Sequence, residues 1–358
     1  MRGAFFCITL DPADDIAGFV LDWAATLAAQ LESLDVICLE DRRRDRPGLL
    51  PDTARVWSLG KERGLGRARM FWAAQRALAA ALGRADFVLC HMMPVYALTA
   101  WPLCRLKGRR LFLWYTHQHV DLKLRLAVAA ADLVFTAVPE SMNVATPKKI
   151  VMGHGVNLAR FAPAPPPSGE GPLNVVSVGR LSPVKRLETL VDAAVRLREL
   201  GRLDEFRFRL VGKEGSPAQA EYAAAIRRLV ERRGLTAFFD FAGSTPYLEV
   251  NRHYAWADAF VSMQESRGLD KAGLEAMASG LPVLAANPSF GPLMGDLADR
   301  LLYPADKPGD LADRLMALRQ AGSATRRAWG GDLRAAVAAG HDLDRLMDKI
   351  IARAGKAG

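Results

Sequence analysis

Apolar positions along the 358 residues fall into short continuous runs, separated by longer stretches with helical spacing. In the first half the runs are "GAFFCITL", "LDVICLE", "ADFVLCHM", "RRLFLWYTH" and "ADLVFTAV". They are too uniformly apolar for strands with one wet face, and they read as parallel strands covered on both sides. Between them, "FVLDWAATLAAQLE" and "ARMFWAAQRALAAALG" place apolar residues three and four apart, the spacing of a one-sided helix. Segment 161–172, with its run "APAPPPSGEGP", breaks the alternation and has linker composition. The pattern then restarts with the strand-like runs "LNVVSVGRL", "FRFRLVGK", "FFDFAG", "ADAFVSM" and "PVLAA". Their helical partners are segments such as "RLETLVDAAVRLREL" and "AQAEYAAAIRRLVERRG".

The pattern predicts an α/β chain of two Rossmann-like domains, each a doubly wound parallel sheet, over 1–160 and 173–330. A closing helix within 331–358 is expected to pack back on the first domain. Such sheets bind ligands beyond the carboxyl ends of their strands, so the expected site is a cleft that the two domains face.

Composition narrows the class. Half the residues are hydrophobic and 24% are charged, as in a soluble, well-cored protein. The opening apolar run is too short for a signal peptide, and no window approaches a membrane span of roughly 18 uncharged apolar residues. Cys7, Cys38, Cys90 and Cys104 show no ligand spacing, and read as buried free thiols in a reducing cytoplasm. The net charge of +9 is uneven: residues 1–165 hold 21 Lys/Arg against 15 Asp/Glu. Basic clusters at Arg42–Arg46, Arg63–Arg69 and Lys107–Arg110, with five of the seven tryptophans, suit an anionic membrane surface or plain solvation. No nucleic-acid motif accompanies the charge, so nucleic acid is not expected as a partner.

The loop after the first strand reads "DPADDIAG", acidic where a dinucleotide-binding turn would carry glycines. Walker A, HExxH and GxSxG patterns are also missing from the sequence. Phosphate chemistry is better placed in "VVSVGRLSPVKRLETL", a strand, a glycine turn, Arg180, and a helix expected to start at Pro183 and to carry Lys185. A guanidinium and an ammonium beside free helix N–H groups suit a diphosphate, although both are also ordinary surface residues for such a turn. "ESRGLDKAGLEAMASGLPVLAA" repeats the plan, with Asp270 as helix cap and Gly280 and Pro282 as the stop. Gly268 allows close backbone approach to a ligand. Glu275 stands among Leu, Ala and Met, where a carboxylate needs a partner such as a ribose diol, a salt bridge or solvent.

Taken in order, "VSVGRLSPVKRLETLVDAA", "LVGKEG", "FAGSTPYLEVNRHYAWADAFVSM" and "LEAMASGLPVLAA" resemble the carboxyl-terminal domain of family-4 retaining glycosyltransferases of the GT-B fold. "MGHGVNLARFAP" resembles that family's hinge segment, and "YTHQH" the stretch that carries its active-site histidine. The resemblance covers about residues 85–320. It implies that Arg180 and Lys185 bind the donor diphosphate and Glu275 the nucleotide ribose. Gly243 and Ser244 would then lie near the base, and Gly268, Leu269 and Asp270 near the sugar and phosphates. His117 would hydrogen-bond the sugar near the reacting carbon, with His119 in reserve if the strand runs that far. His91 and His154 are read as structural. The family's sugar-contacting glutamate, eight positions before Glu275, is here Arg267. That change implies an altered sugar pocket, a role taken over by Glu265 or Asp270, or a weakened enzyme.

The expected function is transfer of a sugar from a nucleotide diphosphate to a glycan or lipid-linked acceptor, with retention and with neither metal nor cofactor. The expected location is the cytoplasm, at the inner membrane face. The alternatives are a sugar-nucleotide epimerase of the same fold and a non-catalytic protein that binds sugar nucleotides or a membrane surface.

Overall fold

The computed structural model of the chain describes residues 1–43, 48–164, 171–265 and 268–355. They form two compact units. Unit 1 comprises Met1–Asn157, Pro246–Leu248 and Gly340–Gly358; unit 2 comprises Leu158–Thr245 and Glu249–Ala339. The second unit therefore runs past residue 330. Gly330 and Gly331 lie inside a helix, and Gly330 packs against the Gly280 backbone with no room for a side chain.

Unit 1 runs β1 (Arg2–Leu10), α1 (Phe19–Ala29), β2 (Ser33–Asp41), β3 (Ala54–Ser58), α2 (Arg67–Ala81), β4 (Phe87–His91), α3 (Pro94–Lys107), β5 (Arg110–Trp114), α4 (Leu122–Ala130), β6 (Leu133–Thr136) and β7 (Lys149–Val151). Its seven strands pair in parallel in the order β3-β2-β1-β4-β5-β6-β7. The edge strands β3 and β7 are short and half-exposed, so neither makes the apolar run that betrays a central strand. Successive residues of the central strand point to opposite faces. Phe6 joins the core under α2, α3 and α4, whereas Phe5 joins the core under α1 and the terminal helix.

Unit 2 runs β8 (Leu173–Val178), α5 (Leu187–Glu199), β9 (Phe206–Val211), α6 (Pro217–Arg232), β10 (Phe239–Gly243), α7 (Asn251–Trp256), β11 (Ala259–Ser262), α8 (Lys271–Ala278), β12 (Val283–Ala285), α9 (Gly291–Met294), α10 (Ala298–Leu301) and α11 (Pro308–Gly340). All five strands coincide with the apolar runs of the sequence and pair in parallel as β10-β9-β8-β11-β12. In α5, Leu187, Leu190, Val191, Ala194 and Leu197 form the buried stripe that the spacing predicts. Helix α11 is kinked at Gly322 (φ 77°) and hands the chain back to unit 1, where α12 (Leu343–Gly355) packs on α1.

All four cysteines are buried free thiols, and burial raises each thiol pKa well above its ordinary value. No helix among the described residues is long and apolar enough to cross a membrane.

Candidate functional site

In unit 2, β8 pairs with β11 although two strands separate them in sequence. That crossover makes the turn after β8 and the loop after β11 leave the sheet side by side, the position where doubly wound sheets bind ligands. Gly179, at φ 147°, begins the first turn; a Cβ there would lie 2.8 Å from Lys185 Cε. Arg180 follows, exposed, with no side-chain partner among the described residues. The helix expected to start at Pro183 is instead a single 3-10 turn, Pro183–Lys185. Arg186 then adopts φ 51°, and α5 starts only at Leu187. Lys185 is thus held by a tight turn rather than by a helix.

The loop after β11 is fastened at several points. Asp270 caps α8, its Oδ1 accepting from the Ala272 N–H at 3.4 Å. Its Oδ2 accepts from Lys185 Nζ at 2.8 Å and from Ser262 Oγ at 3.3 Å. This ion pair joins two residues 85 apart in sequence and leaves the ammonium two further N–H donors. Gly268, at φ 96°, is buried, and its carbonyl accepts from Asn287 Nδ2 at 2.6 Å. Exposed Glu265 pairs with Arg186 at 3.4 Å, and Arg186 also pairs with Asp306. Arg267 lies outside the described residues, and Leu269 is half-buried beside Gly268.

Glu275 is 5% exposed on α8, yet it is already partnered. The Tyr254 hydroxyl donates to its Oε2 at 3.2 Å, and Lys271 Nζ stands 3.9 Å from its Oε1. The cost of burying the carboxylate is therefore met inside the unit before any ligand arrives. On the other side of β9, the Gly243 carbonyl accepts from the Gly212 N–H at 2.8 Å, and Ser244 stands exposed at the end of β10. Behind them Thr245 Oγ1 meets His253 Nε2 at 2.9 Å; burial lowers the His253 pKa to about 4.

Sequence reasoning thus placed Arg180, Lys185, Gly268, Asp270 and Glu275 on neighbouring elements of one sheet edge, and the structure brings Lys185 and Asp270 into contact. It missed Arg186, Tyr254, Asn287 and Ser262, which fix that arrangement. Only "ANPS" offered a signal, since Asn before Pro favours the turn that the Asn287 side chain makes with the Ser289 N–H.

In unit 1 the expectation for the histidines changes. Strand β5 ends at Trp114, so His117 and His119 are exposed in a loop and do not share a strand face. His117 Nδ1 accepts the His119 N–H at 3.0 Å, which leaves Nε2 to carry the proton of the neutral ring. Tyr115 and Asn143 brace the loop through the carbonyls of His119 and Gln118. At this sheet's own crossover, β1 beside β4, the acidic loop is wound on itself: Asp14 Oδ1 accepts from the N–H groups of Ile16 and Ala17, both at 2.7 Å. Across from it Met92 takes a left-handed φ of 65°, a strain that the sequence does not announce. His91 is buried with its ring edge-on to Trp23, 4.8 Å between centroids. His154 donates its backbone N–H to His341 Nδ1 at 2.8 Å.

Residues 172–320 match the family model described as "Glycosyl transferases group 1". The chain is 29% identical over 225 residues to the putative colanic acid biosynthesis glycosyltransferase WcaL of Escherichia coli, covering 60% of this chain and 53% of that one. It is 34% identical over 154 residues to the GDP-mannose-dependent α-(1-6)-phosphatidylinositol monomannoside mannosyltransferase of Mycobacterium tuberculosis, 38% of each chain. The chain thus spans about half the length, or less, of these curated relatives. Among solved structures, Anabaena HepE in complex with UDP superposes with a TM-score of 0.75 over 99% of both chains at 16% identity, a likeness of fold. Residues 172–320 thus match the group 1 glycosyltransferase family, and the two parallel-sheet units have the GT-B fold.

Proposed function

We propose that the chain transfers a sugar from a nucleotide-diphosphate donor to an acceptor hydroxyl with retention at the anomeric carbon. The observation that carries this reading is the crossover of unit 2. It sets Arg180 and Lys185 beside the Gly268–Glu275 segment, inside the stretch that matches the glycosyltransferase family model.

In this reading Arg180, the Lys185 N–H donors not used by Asp270, and the backbone N–H groups of Gly268 and Leu269 receive the diphosphate. Negative charge grows there as the glycosidic C–O bond lengthens. Fixed donors aimed at that charge lower the barrier because they need no reorganisation when it develops. Glu275 takes the ribose hydroxyls, with Tyr254 and Lys271 holding its carboxylate in place. Gly243 and Ser244 border the base. His117, through Nε2–H, donates to the sugar, and His119 serves to orient it. With two cations offsetting the leaving group, the step is expected to run without a divalent metal.

The relatives' names support a glycan or lipid-type acceptor: one is named for colanic acid biosynthesis and the other for a phosphatidylinositol monomannoside. A lipid-linked or polysaccharide acceptor is accordingly the proposed one, at the cytoplasmic face of a membrane. The test is transfer from UDP- and GDP-hexoses to such acceptors, with the product's anomeric configuration read by proton NMR. An α-linked product from an α-linked donor is expected. A β-linked product would overturn retention, and acceptor-free interconversion of the sugar nucleotide would replace transfer by epimerisation.

A further inference from the structure

Helices α2, α3 and α4 lie side by side on one face of the unit 1 sheet, packed on one core, and α2 is tied to α3 by Gln75 Nε2 donating to the Thr99 carbonyl. Their inner stripes are ordinary: small and aliphatic residues such as Ala77, Leu78, Ala97, Ala100, Leu124 and Ala127 are buried. Their outer surfaces are not. Trp72 is 67% exposed on α2, Leu106 77% on α3 and Leu122 69% on α4. Phe71, Val95, Trp101 and Leu126 are exposed on the same three helices. Most of the large apolar side chains exposed among the described residues are therefore gathered on this one layer.

The charge on the layer is equally one-sided. The three helices carry Arg67, Arg69, Arg76, Arg105, Lys107, Lys123 and Arg125 and not one Asp or Glu. None of the seven makes an ion pair among the described residues. By contrast α5 ("LETLVDAAVRLRE") and α12 ("LDRLMDKIIARAG") mix signs. The tryptophan count of the first half turns out to be a poor guide to this surface. Trp23 and Trp114 are buried against each other, and the Trp57 indole donates to buried Asp35. Of the predicted basic clusters, Arg42 and Arg43 are paired with neighbouring acids and residues 44–46 lie outside the described residues.

We infer that the α2–α3–α4 face docks on an anionic lipid bilayer. Unneutralised cations gain from anionic headgroups, and protruding Trp, Phe and Leu side chains gain from the acyl boundary beneath them. A nucleic acid would satisfy the cations and stack on the aromatics, but it offers nothing to Leu106, Leu122 and Leu126. That aliphatic share of the patch favours lipid. The association is peripheral, since no described helix can span a membrane. The inference does not rest on the transferase reading, and its test contains no sugar nucleotide.

The test is co-sedimentation of the full chain with vesicles of phosphatidylcholine alone and with added phosphatidylglycerol, at low and high salt. Three proteins are compared: the native chain, R69Q/R76Q/R125Q, and W72S/L106S/L122S. All of these positions are exposed, so the folds should survive, and circular dichroism checks that. Binding is expected only to the anionic vesicles, weakening with salt, and falling about 100-fold or more in the arginine variant. The apolar variant should lose a comparable amount, and W72F should reduce quenching of tryptophan emission by brominated phosphatidylglycerol. Four outcomes overturn the inference: no vesicle binding, binding indifferent to both variants, native W72F-independent quenching, or retention of a single-stranded oligonucleotide with the same arginine dependence but no vesicle binding.

Discussion

The two units share a plan and differ in its chemistry. In unit 1 four neighbouring strands run β2-β1-β4-β5, and in unit 2 four run β9-β8-β11-β12. Each has a crossover beside its first strand, which fixes where a ligand would meet the sheet. Unit 2 puts a glycine turn, Arg180 and Lys185 after its first strand, and a capped helix with Asp270 and Glu275 after the crossover strand. Unit 1 puts Asp11, Asp14 and Asp15 in the first place and a strained Met92 in the second. The topology supplies the place and the side chains decide the ligand: an anion fits the first arrangement and is repelled by the second.

The largest test of that contrast is to delete its cations. Arg180→Ala and Lys185→Ala are each expected to lower turnover by about 100-fold or more, as loss of a fixed electrophile does. Native turnover in both variants would erase the distinction between the units. Next in size is acid. Burial lowers the pKa of His253 in unit 2 and of His341 in unit 1, each to about 4. Both rings fold neutral while the unfolded chain takes up protons below about 6.5. The stability they contribute is complete above that pH and is lost as pH falls towards 4, by about 1–3 kcal/mol each. Urea unfolding at pH 7 and pH 5 should show the loss, and His253→Gln should flatten part of the slope.

A smaller effect separates structure from binding. Asp14→Ala removes an acceptor shared by two backbone N–H groups, and should cost about 1 kcal/mol of stability. Donor affinity should be untouched, because that loop serves its own unit. A thermal melt together with a donor KM would check both halves, and a raised KM would make the acidic loop part of the donor site. Smallest of all is the expected response to EDTA, which should leave the initial rate unchanged.

How far the sequence shows these things depends on what selects each residue. Buried central strands must be apolar on both faces, so β1, β2, β4, β5, β6, β8, β9 and β11 stand out as runs, and the edge strands β10 and β12 of unit 2 happen to do so as well. Edge strands carry no such demand, and β3 and β7 escaped notice. The cap at Asp270 and the stop at Gly280 follow local rules and are visible locally. Contacts between distant segments leave no periodic mark. Nothing in "RHYAW" says that Tyr254 will hold Glu275, and nothing near Pro183 says that Lys185 will meet Asp270 or that Arg186 will delay α5 by a turn. His117 was placed on a strand because "LFLWYTH" continues apolar past Trp114, where the pairing stops.

The central claim is that unit 2 is a nucleotide-sugar site built on Arg180 and Lys185. Titration calorimetry of UDP-, GDP- and ADP-hexoses into the native chain and into R180A/K185A tests it directly. One nucleotide class should bind the native chain and lose about tenfold or more in affinity in the variant. Equal binding to both proteins, or binding of none of the three classes to the native chain, would contradict the account.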